Sequence, residues 1–96
     1  MDKVEKMRLE LPGFIAILYA GIAGRPIDNN IEAYSYSGEK LWNIKDILAP
    51  VLGNVKDDWY PEMGVVDNQL TVYAFRGMRF FIDGETGNLI ENKIVK

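Results

Sequence analysis

Turn signals recur along this chain at roughly ten-residue spacing, and no helical period runs between them. Pro12-Gly13, the stretch "GRPIDNN" at 24–30, Ser37-Gly38-Glu39-Lys40, Asp67-Asn68, Arg76-Gly77 and "GETG" at 84–87 each interrupt a short apolar or alternating segment. That rhythm leaves no room for βαβ units, whose crossovers need a dozen or more residues. The expected fold is all-β, an antiparallel meander of about seven or eight short strands with at most one short helical turn. Alternation alone leaves open whether such a meander stacks as a sandwich, closes in a barrel-like way or forms a two-blade propeller-like unit.

The segments carry the detail. In "KVEKMRLEL", Met7, Leu9 and Leu11 fall on one face and Arg8 and Glu10 on the other, the pattern of a strand with one wet face. "FIAILYA" at 14–20 is apolar on both faces and belongs in the middle of a sheet. With its continuation to Gly24 it reaches about half of the ~20 residues a spanning helix needs. Mixed acids and bases precede it and no clean A-x-A site follows, so a signal peptide is not expected either. In "IEAYSYS", Glu32, Tyr34 and Tyr36 share one face, and Ile31, Ala33 and Ser35 the other. "LWNI" returns with Trp42 and Ile44 together. "KDILAPVLG" is the one helical candidate, expected as a single turn or 3₁₀ segment capped by Asp46, limited by Pro50 and closed by Gly53. In "MRFFID", Met78, Phe80 and Ile82 oppose Arg79 and Phe81, and Gly77 is expected at positive φ.

At 96 residues the chain is read as one domain, 1–96. The composition removes several functions. There is no His, which takes away the most common general base and zinc ligand. There is no Cys, which with the missing His rules out a nucleophilic triad and favours a reducing compartment, the cytoplasm. The net charge is −3 and the eleven basic residues are scattered, so nucleic acid is not an expected partner, nor is a membrane. Asp57-Asp58 with Glu62 does not have the alternating ligands and closing Glu of a calcium loop. Asp83-Gly84-Glu85 reads as a turn whose carboxylate accepts backbone N–H groups. The expectation is therefore no enzyme activity, no metal and no cofactor.

Two stretches echo each other. "SGEKLW" aligns with "TGNLIE", placing Ser37-Gly38 over Thr86-Gly87. In each a hydroxyl precedes a turn glycine. "AYSYSGEKLW" resembles the blade motif of quinoprotein-type β-propellers, and "FFIDGETGNLI" resembles its Asp-x-x-Thr-Gly form through Asp83, Thr86 and Gly87. A propeller needs at least four blades of about 40 residues, and this chain holds two at most. The second copy also has Glu91 where the first has Trp42, so the resemblance implies blade-like hairpins and no quinone site. The order of segments is further similar to a group of small uncharacterised bacterial proteins, through Gly38, Leu41, Trp42, Gly77, Phe80, Ile82, Asp83, Thr86 and Gly87. That likeness implies a fold and a bacterial origin, without an activity.

The binding candidates are Trp59 and Tyr60, aromatic residues in a stretch that is otherwise a polar loop, and Arg76 and Arg79, which flank Gly77-Met78 and offer guanidinium groups to an anion. Packing onto a sheet edge is the stronger reading of the aromatics, and charge protection of an edge strand the stronger reading of the arginines. Two functions remain. One is a non-catalytic protein-interaction module whose partner is another protein, as in an immunity role, or a second copy meeting it at a free sheet edge. The other is a small-ligand or carbohydrate-binding domain that uses exposed aromatics.

Overall fold

The computed structural model describes residues 3–25, 27–52, 59–74 and 77–94. Eight strands lie within them, in two four-stranded antiparallel sheets. The first sheet holds β1 (Lys3–Glu10), β2 (Ile15–Gly21), β3 (Ile31–Tyr34) and β4 (Lys40–Asn43), side by side in chain order. The second holds β5 (Glu62–Val66), β6 (Gln69–Tyr73), β7 (Met78–Asp83) and β8 (Leu89–Ile94), again in chain order. Each sheet is thus a meander, as the turn spacing requires.

The two sheets share one core. Leu11, Phe14, Ala16, Leu18, Ile31 and Ala33 of the first sheet meet Met63, Leu70, Val72, Phe80 and Ile82 of the second in a single buried cluster. This is a sandwich, and of the closures the sequence left open it is the one found. Each large side chain so buried stabilises the fold by about 1.5–3 kcal/mol. β2 runs between β1 and β3, the interior place its two apolar faces call for. Ala16 and Leu18 face the core, and Ile17 is buried on the other face.

The helix departs from expectation. α1 (Ile44–Leu52) runs nine residues rather than one turn, with Pro50 inside it. Pro50 is the seventh helical residue, and the carbonyl its ring crowds lies four residues back at Asp46, in the first turn. The cap is Asn43, not Asp46: Asp46 N donates to Asn43 Oδ1 at 3.0 Å, and Asn43 Nδ2 donates to Asp46 Oδ2 at 2.9 Å. Asp46 answers from the third helical position, the place of a capping-box acid, but accepts from the Asn43 side-chain amide rather than its backbone N–H. A second orphan donor, Lys45 N, is taken by Asn29 Oδ1 at 2.9 Å. Gly53, expected to close the helix, and the Asp57-Asp58 pair lie outside the described residues.

The two echoing hairpins occupy equivalent places, β3–β4 and β7–β8, the last hairpin of each sheet. Their glycines both have positive φ, 95° at Gly38 and 76° at Gly87. The turns differ by one residue. Ser35 N bonds Glu39 O at 2.8 Å around the first, and Asp83 N bonds Asn88 O at 2.8 Å around the second. Thr86 Oγ1 accepts from Asn88 N at 3.2 Å, whereas in the first turn Ser35 rather than Ser37 serves the backbone, accepting from Glu39 N at 3.0 Å. Asp83 accepts from Glu85 N and from the Thr86 hydroxyl. The Thr86 bond, then the Glu85 N–H, lower its pKa.

The second hairpin also joins the sheets. Gly13, in the β1–β2 turn, donates its N–H to Gly84 O at 2.8 Å, and a Cβ on Gly13 would fall on the Glu85 backbone. Trp42, on β4, lies over Gly87 so closely that a Cβ there would meet the indole Nε1 at 2.6 Å. Its ring meets Phe14 edge to face, with centroids 5.4 Å apart. Trp42 is partly buried and packs against the core from its place beside the first turn, and the absence of a side chain at Gly87 makes room for it.

Candidate functional site

At the other end of the sandwich the chain enters β5 through Trp59, Tyr60 and Pro61. Asn30 holds this entry. Its Oδ1 accepts from Tyr60 N at 2.9 Å, and its Nδ2 donates to Tyr60 O at 2.8 Å and to Tyr19 O at 3.3 Å. A buried side-chain amide so placed imitates one rung of a β-ladder and ties a strandless segment to the first sheet. Tyr60 is thereby fully buried in the shared core.

Trp59 is half-buried. With Tyr60 and Pro61 it lines a cleft of about 300 Å³ whose other walls are Lys6, Leu18, Tyr19, Ala20, Gly24, Arg25 and Asn30. Three irregularities bring these walls together. A β-bulge between Glu5 and Met7 admits Lys6, β2 ends at Gly21, and the short 3₁₀ turn Ile22–Gly24 redirects the chain with Ala23 at φ 60°. Bulges at sheet margins re-aim side chains in this way.

The candidate aromatics therefore divide: Tyr60 is a core residue, and Trp59 stands at a cleft wall. Arg79 is elsewhere, on the outer face of the second sheet, with its guanidinium 4.6 Å from the Tyr73 ring centroid. That stacking occupies its planar face. Arg76 lies outside the described residues. Among the described residues no three acidic side chains gather as a metal site would require.

Glu32 is a site that sequence reading passes over. It sits mid-sheet on the outer face of β3 and is only 7% exposed. Lys40 Nζ approaches its Oε2 at 2.9 Å, Lys3 Nζ its Oε1 at 3.2 Å, and the Tyr34 hydroxyl donates to Oε1 at 2.7 Å. Burial acts to raise its pKa. The bonds from Lys40, Tyr34 and Lys3 outweigh burial and hold the carboxyl at about 2. The same contact, first among its causes, raises the Tyr34 hydroxyl above its ordinary value. The alternation that puts Glu32 beside Tyr34 is visible in the sequence; the two ammonium groups come from β1 and β4, which only the sheet order brings to it.

The sheet margins differ in character. β1 carries Lys3, Glu5, Lys6, Arg8 and Glu10 and the bulge, and Arg8 pairs with Glu5 at 2.7 Å. β4 is four residues long and runs straight into α1. β5 has one charged residue, Glu62, no bulge in its pairing with β6, and two exposed valines, Val65 at 45% and Val66 at 48%. No described strand pairs with its outer side.

No helix among the described residues is long and apolar enough to cross a membrane. No curated protein and no solved structure matches the chain. A family model does match, over residues 2–94, and the chain belongs to that family, described as a domain of unknown function (DUF7957).

Proposed function

We propose that this domain is a non-catalytic protein-interaction module of the bacterial cytoplasm, and that its partner is a second copy of itself, met along β5. The observation that carries this reading is the contrast between the margins. Edge strands in soluble proteins are ordinarily protected by charge, bulges or brevity, because their unpaired N–H and C=O groups template pairing. β1 carries the first two protections and β4 the third, whereas β5 exposes valines on both faces of a regular strand.

A two-fold antiparallel pairing centred on Gly64 suits this strand. It sets Met63 opposite Val65 of the other copy and Glu62 opposite Val66. The carboxylates stay apart, Val65 gains an apolar neighbour in Met63, and the meanders become one continuous eight-stranded sheet. A chain without His or Cys supports the non-catalytic part, and the missing Cys supports a reducing compartment. The order of segments, similar to that of a group of small uncharacterised bacterial proteins, supports a bacterial origin by resemblance.

Light scattering coupled to size exclusion tests the pairing. A dimer is expected at micromolar protein, and Val65→Lys or Val66→Lys should each return it to monomer with the melting temperature of the fold little changed. A monomeric wild type at high concentration, or a dimer indifferent to both substitutions, removes the self-pairing reading.

A further inference from the structure

The cleft beside Trp59 differs in electrostatic character from the chain as a whole. The chain is acidic overall, with fourteen Asp and Glu against eleven Lys and Arg. The described walls of the cleft nevertheless hold two cations, Lys6 and Arg25, and no acidic residue. Among the basic side chains described, Lys3 and Lys40 bond Glu32, Arg8 bonds Glu5, Lys45 reaches Asp28, and Arg79 stacks on Tyr73. Lys6 and Arg25 have no carboxylate or ring partner among the described residues, and both line the same cleft. Lys3 Nζ also lies 4.3 Å from the centroid of Tyr19, itself a wall residue, but its charge is answered by Glu32.

The remaining walls are apolar or already satisfied. Ala20 and Pro61 contribute hydrocarbon surface, Leu18 and Tyr60 are buried core residues, and the Asn30 amide is spent on Tyr60 and Tyr19. A concave apolar surface with a few convergent charges is the make-up of a small-molecule site, and about 300 Å³ lies at the low end of the usual range. A neutral sugar would ask for paired donors and acceptors, which these walls do not offer. An anion would find two cations without a carboxylate partner among the described residues, in a concave site where charge-assisted bonds are stronger than neutral ones.

We propose that this cleft binds a small organic anion, a flat apolar body bearing one carboxylate, phosphate or sulfonate group, with Lys6 and Arg25 taking the acidic group and Trp59 the body. The site stands apart from the β5 edge and does not depend on self-pairing.

Two dyes that share an aromatic body separate charge from apolar burial: 1-anilinonaphthalene-8-sulfonate and its neutral counterpart N-phenyl-1-naphthylamine. Fluorescence titration of the full chain should give saturable binding of the sulfonate, weakened by added salt, and markedly weaker binding of the neutral dye. Lys6→Gln and Arg25→Gln should each lower the sulfonate affinity by about tenfold. Both residues are at the surface, so the melting temperature should hold and confirm the fold. Trp59→Ala should weaken both dyes. Equal affinity for the neutral dye, sulfonate binding that survives the Lys6→Gln/Arg25→Gln double variant, or no saturable binding would each overturn the assignment.

Discussion

A carboxylate in the middle of a sheet face must be compensated where it sits, and Glu32 is compensated three times over, by Lys40, Tyr34 and Lys3. The consequence is a defined acid response. The folded carboxyl titrates near 2 against an ordinary 4.5, so it is depressed in the folded state. A depressed group adds stability in full above about pH 4.5 and loses it as pH falls towards 2. Glu32→Gln should flatten the acid limb of stability across that window, measured as the urea midpoint against pH. The cost at neutral pH should be about 1–2 kcal/mol, held down by solvent screening at the exposed ammonium ends. A substitution that leaves the acid limb unaltered would show that the three partners do not act on the ionised form. Glu32 also marks what alternation can and cannot reveal. The sequence assigns it a face and a neighbour on its own strand, while its cations arrive from the separate strands β4 and β1.

Among the elements, the strands are legible in the sequence and the helix only in part. Period-two alternation and turn residues locate all eight strands, because each turn signal acts locally: Asp67 and Asn68 both adopt positive φ, at 50° and 63°, as a tight hairpin turn demands. The helix outruns the single turn expected of it because a proline constrains only the turn that precedes it, and Pro50 comes late. The cap moves to Asn43 for a related reason, since that residue belongs to β4 and caps α1 at once. Asn43→Ala should lower stability by about 1 kcal/mol and Asp46→Ala by less, compared as urea midpoints. The reverse order would return the capping role to Asp46. The cleft is the least legible part. In the sequence Lys6 is one charge among several on an edge strand, Arg25 one loop residue, and Asn30 another. Their meeting depends on a bulge and a 3₁₀ turn with no strong sequence signature.

For the whole molecule, what matters is how two meanders become one body. The DGETG hairpin resembles a repeated blade motif, yet its glycines serve the joint: Gly84 O accepts from Gly13 N, and bare Gly87 seats the Trp42 indole. Gly38 occupies the matching place in the first sheet, and a Cβ there would have nothing within 4 Å. Both glycines have positive φ, so Gly→Ala at either costs about 1 kcal/mol from the backbone alone. Gly87→Ala should cost about 1–3 kcal/mol more, since it must also push Trp42 aside, and should shift the tryptophan emission. Equal losses at the two positions would mean that the indole yields freely and the joint is loose.

The fastenings between the sheets stand at opposite ends of the strands. Gly13 bonds Gly84 where β1 turns into β2, and Asn30 grips Tyr60 where β3 begins. A sandwich held at one end only could open like a book, and one held by its oily interior alone could slide. Fastened at both ends, this one behaves as a beam pinned at two supports. Sliding one layer along the other loads both sets of bonds together rather than one after the other.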